Sequence, residues 1–355
     1  MDIKFPKLTP EEINEKLTIP SGRIHLIIDT DAKNEVDDQF AVSWAIRSPE
    51  RFIVDAVYAA PFSHDCFKKL APSSSTDAVG GVTYTAHPGD GMEASYQELL
   101  KLFKLLGRNP EGCVYRGSQN YISDIGKPVE SDATRDLINR AMSSEETIYV
   151  AAIGAPTNIA SALMLEPELV KKIVVIWLGG QPLYFKHGIE FNLMQDIVAS
   201  QILFDSGVPL VMIPCMNVAS MLALSKSEVE QYLEGKSELS DYLAKIVLDA
   251  FGSENDDGRT AAMMRHSYLY LREDRKDEYL FQFPMSKKVW SRIIWDVATI
   301  AFLKNPAWEP STLEFSPILN DNMSWGKEDS SRHKIRVVNY CFRDAIFGDM
   351  IKSLK

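Results

Sequence analysis

The chain has 355 residues, enough for two or three domains of about 150 residues or for one large α/β domain. Hydrophobic residues make up 45% and charged residues 25%, ordinary globular usage that excludes collagen, coiled coil and wholesale disorder. Lysine and arginine number 38 against 49 acidic residues, and the resulting net charge of −11 argues against nucleic acid or a membrane surface as partner. Small molecules and cations fit better.

Residues 1–22 are polar, carry Pro6, Pro10 and Pro20, and are expected to form an arm or short helix. Ahead of them in importance is one α/β domain expected over residues 23–355. His25 to Ile28 is a short apolar run that reads as a strand, ends in Asp29-Thr30-Asp31, and precedes a helical pattern from about Asp37 to Ile46. The rhythm repeats with a strand over Phe52–Ala59 and a helix over Ser95–Leu106. Thr147–Ile153 is the next strand, closed by Gly154-Ala155-Pro156-Thr157-Asn158 before a helix through Leu165. Ile173–Leu178 is a fully apolar strand closed by Gly179-Gly180, and a helix around Ile197–Phe204 leads into a strand over Val208–Ile213.

From about 225 to 303 the pattern turns helical, with helices over Ser227–Leu233, Leu239–Phe251 and Trp290–Leu303. The polar stretch Ser253–Thr260 reads as a mobile loop over a crevice. Strands alternating with helices predict a mostly parallel central sheet with helices on both faces. Ligands in such sheets sit beyond the carboxyl ends of the strands. The turns Asp29–Asp38, Ala60–His64, Gly154–Asn158 and Gly179–Asn192 would then face one crevice.

Cys66, Cys113, Cys215 and Cys341 form no CxxC pair, so a zinc site or disulfide framework is not expected. The polar start and the lack of a long apolar run point to neither export nor a membrane anchor, and a cytoplasmic location is expected.

The strongest chemical signal is Asp29, Asp31, Glu35, Asp37 and Asp38, five carboxylates in ten residues at a strand-to-helix junction. Crowded carboxylates repel and resist ionisation unless a cation sits among them, and an all-oxygen set favours calcium or magnesium. The structural alternative is that Asp37 and Asp38 merely favour the positive end of a helix while Asp29 caps the turn. The second signal is Asp296 inside the apolar run 293–302, where a buried charge needs a partner. Either Arg292 pairs with it, or it caps a helix, or it shares a cation with the acidic loop.

Glu190-Phe191-Asn192 offers a carboxylate and an amide that could grip sugar hydroxyls. His25, His266 and His333 read as structural, whereas His64, His87 and His187 fall in predicted loops and are candidate acids. No GxSxG, Walker loop or GxGxxG follows a strand, so acyl transfer and nucleotide-triphosphate or NAD chemistry lack their usual supports.

Together these segments resemble the nucleoside hydrolase family, inosine–uridine preferring type. Asp29-Thr30-Asp31 with Asp37-Asp38 resembles its acidic signature, and Gly154 to Ala160 its second characteristic turn. Gly179-Gly180 with Glu190-Phe191-Asn192 resembles its ribose-binding loop, and Trp295-Asp296 falls where the family places a distal metal ligand. The resemblance implies a calcium ion (Ca2+) held by Asp31, Asp38, Asp296 and the backbone carbonyl of Thr157. It also implies Asp31 as general base for an activated water, with Asp37, Glu190 and Asn192 on the ribose hydroxyls. The implied reaction is hydrolysis of the N-glycosidic bond of a ribonucleoside, and a homo-oligomer is expected.

Three departures stand out. The family usually has three residues, typically beginning Pro-Gly, between base and acidic pair; here Ala32 to Val36 are five and include Asn34 and Glu35. The histidine that often precedes the distal ligand is Trp295, which is similar to the purine-preferring branch and leads us to expect stacking on a purine. The asparagine often found after the second strand is missing from Ala59-Ala60-Pro61-Phe62, leaving Glu35 or His64 as candidates to contact substrate. The competing readings are a metal-dependent phosphohydrolase, which lacks a convincing phosphate site, and a calcium-bound sugar-binding protein without turnover.

Overall fold

A computed structural model describes residues 3–65, 85–250 and 291–355. The Ser253–Thr260 stretch, His266 and Cys66 lie outside the described residues. Strands β1 (Ile24–Thr30), β2 (Phe52–Ala59), β3 (Val114–Arg116), β4 (Ile148–Ile153), β5 (Ile173–Leu178) and β6 (Leu210–Ile213) are followed by β7 (Ala223–Ser225), β8 (Ser291–Ile293), β9 (Ser311–Phe315) and β10 (Lys334–Val338). Eight of them form one sheet in the order β3-β2-β1-β4-β5-β6-β10-β9, parallel throughout except for the antiparallel edge strand β9. β7 and β8 pair antiparallel in a separate two-stranded ribbon.

Every residue of β4 and of β5 is buried. Their apolar, largely β-branched sequences, Ile148–Ile153 and Ile173–Leu178, suit strands covered on both faces, because a parallel sheet is flanked by its crossover helices. One apolar cluster on the first face takes in Trp44, Phe103, Ile176 and Phe302; the other face packs Ile159, Trp177, Phe204 and Leu210. The polar N-terminal stretch forms α1 (Pro10–Lys16), capped by Thr9 in a capping box with Glu12. Helix α2 (Asp38–Ile46) follows β1, and a later helix, α3 (Thr157–Leu165), follows β4.

One expectation about the C-terminal third needs correction. The Trp290–Leu303 helix is a strand and a shorter helix: Ser291–Ile293 pairs with Ala223–Ser225, and only α4 (Val297–Lys304) is helical. Apolar continuity cannot separate a buried strand from a buried helix, and partner strand β7 is 66 positions upstream of β8 at the Ser225–Ser291 pair. Beyond the stretch read as helical, β9 and β10 extend the main sheet and Arg343–Leu354 is a helix. Among the described residues no helix is long and apolar enough to cross a membrane.

Candidate active site

The order of the sheet puts the ends of β1, β4 and β5 side by side. Asp29 is paired with Tyr58 on one side and Ala152 on the other, so the acidic loop leaves from the middle of the sheet. Asp29, Asp31, Asp37 and Asp38 are all buried, and Asp296 joins them. Carboxylate oxygens of Asp37, Asp38 and Asp296 lie within 4.8 Å of one another.

Three helices begin at this place. Asp38 opens α2, Thr157 opens α3, and Asp296 immediately precedes α4, so three positive helix ends meet the acids. Neither Asp37 nor Asp296 uses its side chain to cap the helix it precedes. Side-chain capping is therefore not what Asp37 and Asp296 do, while the acids do stand at positive helix ends. Nor does Arg292 pair with Asp296 as expected from their spacing. Its Nη2 lies 2.7 Å from Glu35 Oε2 instead, because Arg292 sits on strand β8 and not one helical turn from Asp296.

Burial comes first among the causes that push the Asp31, Asp37 and Asp296 carboxyls well above the usual range, with mutual repulsion added. Asp38 is pushed up to about 7, mainly by burial, although Thr30 Oγ1 donates to it. The Oδ2 of Asp31 and of Asp29 have no hydrogen-bond partner. Orphaned buried oxygens in an all-oxygen set are what a hard divalent cation satisfies, so the residues fit such an ion. Asp37 stands in the three-oxygen group alongside Asp38 and Asp296, and Asp31 lies outside that group while feeling the charges of both Asp38 and Asp37.

Two residues outside the expected set shape the floor. Asn158 Nδ2 donates to Asp29 Oδ1 at 2.8 Å, and its own Oδ1 accepts from the Ser118 amide and hydroxyl. Gly117 permits this approach: a Cβ there would lie 2.0 Å from the Ala59 carbonyl oxygen. Asp196 accepts from Thr157 Oγ1 and from the amides of Ile122 and Ser123, fixing the start of α3. Its place as N-cap of helix Ile197–Asp205 is local, but these donors come from two distant segments, 122–123 and Thr157.

Glu190 is half-buried, and the desolvation of its carboxyl pushes it up to about 7 against the opposing pull of backbone donors. It accepts from the amides of Gly180, Asn192 and Leu193, which pins the loop into helix Phe191–Gln195. Gly180 has φ +70°, a conformation that glycine adopts without strain. Asn192 Nδ2 donates to the Leu178 carbonyl at 2.9 Å.

His64 connects the two loops: Nδ1 accepts from the Thr85 amide, Nε2 lies 3.2 Å from Asn34 Oδ1, and its ring centroid is 5.8 Å from that of Phe191. Burial pushes His64 down to about 4, so it is neutral near pH 7. His87 precedes helix Pro88–Leu105, and His187 bridges to Ser324. Trp295 is half-buried and packs against the main apolar cluster. A cavity of about 240 Å3, lined by Ser63, His87, Tyr121, Met194 and Gln195 among others, opens beyond helix Phe191–Gln195.

A sequence model of the inosine-uridine preferring nucleoside hydrolases matches residues 71–314, more than half of the chain. The chain belongs to this family. Nucleoside hydrolases are N-ribohydrolases that act on small-molecule nucleosides, which makes the chain an enzyme of that class. It is 27% identical to probable uridine nucleosidase 2 of Arabidopsis thaliana over 230 residues, 63% of this chain and 69% of that protein. It is 32% identical to a pyrimidine-specific ribonucleoside hydrolase of Enterobacter over 109 residues, covering 30% of this chain and about a third (34%) of that relative's length. The fold of this nucleoside hydrolase also matches a purine-preferring ribonucleoside hydrolase from Gardnerella vaginalis, with TM-score 0.64 at 19% identity over 93% of this chain and 98% of the other.

Proposed function

We propose that this nucleoside hydrolase is calcium-dependent and cleaves a ribonucleoside into ribose and free base, with Asp31 as general base. The observation that carries the reading is the group of carboxylate oxygens from Asp37, Asp38 and Asp296 within 4.8 Å, buried at the carboxyl end of the sheet. Asp31, Asp38, Asp296 and the Thr157 carbonyl would hold the ion, with Asp37 close enough to share that duty. When bound, calcium supplies the positive charge that stabilises these carboxylates in their ionised form and acidifies a water.

Asp31 then takes the proton of the attacking water, its unpartnered Oδ2 being the acceptor. Asp37 and Asn192 orient the ribose hydroxyls, and Glu190 holds the loop between them while reaching the same sugar. Attack at the anomeric carbon passes through an oxocarbenium-like state, and the bond to the base breaks with both electrons going to the base. We place the leaving base toward the cavity lined by Met194 and Gln195, where the buried Gln195 Nε2 has no hydrogen-bond partner.

A purine bias rests on Trp295. The packing of that indole against the core, and relatives named for uridine and for pyrimidine, favour a second reading in which pyrimidine nucleosides are taken as well. The deciding experiment is a panel of purine and pyrimidine nucleosides with a reducing-sugar readout, before and after chelation. Sugar released only with calcium supports the reading. No release from any nucleoside, with ribose bound tightly, would favour a sugar-binding protein. Light scattering tests the proposed homo-oligomer.

A further inference from the structure

The interval between Asp31 and Asp37 is fastened residue by residue. The Ala32 carbonyl accepts from Gln39 Nε2, the Lys33 amide donates to Ser95 Oγ, and Lys33 Nζ lies 3.3 Å from Glu98. Asn34 meets His64. Glu35 reaches furthest along the chain, to Arg292, 257 positions away.

That contact joins two groups with little access to water, their side chains 4% and 20% exposed for Arg292 and Glu35. Among the described residues Glu35 is the acidic group that pairs with this guanidinium directly, Asp37 feels its charge from further off, and the Arg292 Nε is buried without a hydrogen bond. Arg292 belongs to β8, which Leu224 and its neighbours hold in register, and the Ile294 amide donates to the Leu222 carbonyl. Two residues on from Ile294 stands Asp296, whose amide donates to Asp37 Oδ2 at a long 3.3 Å.

We propose that the Glu35–Arg292 ion pair is a positioning device, which holds the β8–Asp296 segment against the acidic loop so that the carboxylate of Asp296 stands ready beside Asp37 and Asp38. The inference rests on the reading of those carboxylates as a cation site. Four buried acids repel one another, and a segment bearing one of them would otherwise relax away. A buried arginine held by one carboxylate supplies a directional tie that a hydrophobic contact of the same size does not.

Geometry and charge make opposite predictions here. Arg292 is a like charge for any bound cation, so its removal tightens cation binding if only electrostatics matter. If the pair positions Asp296, removal weakens binding, by about 10–100-fold on the scale of outer-shell groups around metals.

The test is calorimetric titration of calcium into metal-free full-length protein, the parent against Arg292→Met, which keeps length and removes charge. The expected result is a Kd raised by at least about tenfold in the variant. A merely structural pair would lower the unfolding midpoint and leave the calcium Kd of the folded protein where it was; an unchanged or lower Kd overturns the proposal. A parent that binds no divalent cation would sink the cation-site reading and this role together, whereas tight binding by parent and variant alike sinks this role alone. Should Arg292→Met not fold, Glu35→Ala at the more exposed end decides by hydrogen exchange in the metal-free protein. Severalfold faster exchange confined to amides 291–297 and 32–37 supports the tie, and unaltered protection there overturns it.

Discussion

Replacing Asp38 by asparagine is expected to flatten the dependence of stability on pH in the metal-free protein. Burial pushes this carboxyl up to about 7 from its ordinary 3.8. Between those values the folded state keeps a proton that the unfolded chain has released, so stability falls as pH rises. One group costs about 1.4 kcal/mol per pH unit over that window. From about pH 5 up to the folded value the loss is about 3 kcal/mol, a large share of the roughly 5–15 kcal/mol that keeps a domain folded.

The neutral amide of Asp38→Asn removes that loss. Urea unfolding of chelator-treated protein at about pH 5 and about pH 8 should show the parent losing about 3 kcal/mol more than the variant. Comparing the two cancels His64 and His333, whose rings burial pushes down to about 4. Those histidines act in the opposite sense, since their folded forms release protons first and stability rises between about 4 and 6.5. Equal pH slopes in parent and variant would refute the assignment of the titration to Asp38. Excess calcium should restore more stability at the higher pH, where the ligands are ionised.

Asp31→Asn should fold and bind calcium yet lose about 10²–10⁴ in kcat, because an amide cannot take the proton of water; steady-state kinetics with the best nucleoside of the panel checks this. Asp37→Ala should raise KM more than it lowers kcat if its main contact is to substrate hydroxyls, read from the same assay. Trp295→Ala should change the ratio of kcat/KM for inosine over uridine by no more than about tenfold, the scale of one aromatic contact, and an unchanged ratio removes Trp295 from the base site. Gly117→Ala should lower stability by about 1–3 kcal/mol, seen as a lower urea midpoint at the same m, because its Cβ would meet the Ala59 carbonyl oxygen and the Asn158 amide.

Much of the parallel sheet and the acidic centre was legible in the chain by itself. The apolar runs at Ile148–Ile153 and Ile173–Leu178 are continuous because both faces are covered, and such runs announce a buried strand without any tertiary information. Five carboxylates between Asp29 and Asp38 marked the centre, since that density of like charge is costly unless something opposes it. The burial of Asp296 could likewise be read from its apolar neighbours. What faces what could not. Glu35 and Arg292 meet across 257 positions, Asp196 gathers donors from two distant segments, and residues 334–338 join the sheet beside β6. A spacing of four suggested that Arg292 would serve Asp296, but that inference presumes a helix, and strand pairing with Ala223–Ser225 turns the arginine toward the acidic loop. Local patterns carry burial and charge density, because these depend on the residues themselves. Partner choice depends on which strands lie side by side, and only the folded chain decides that.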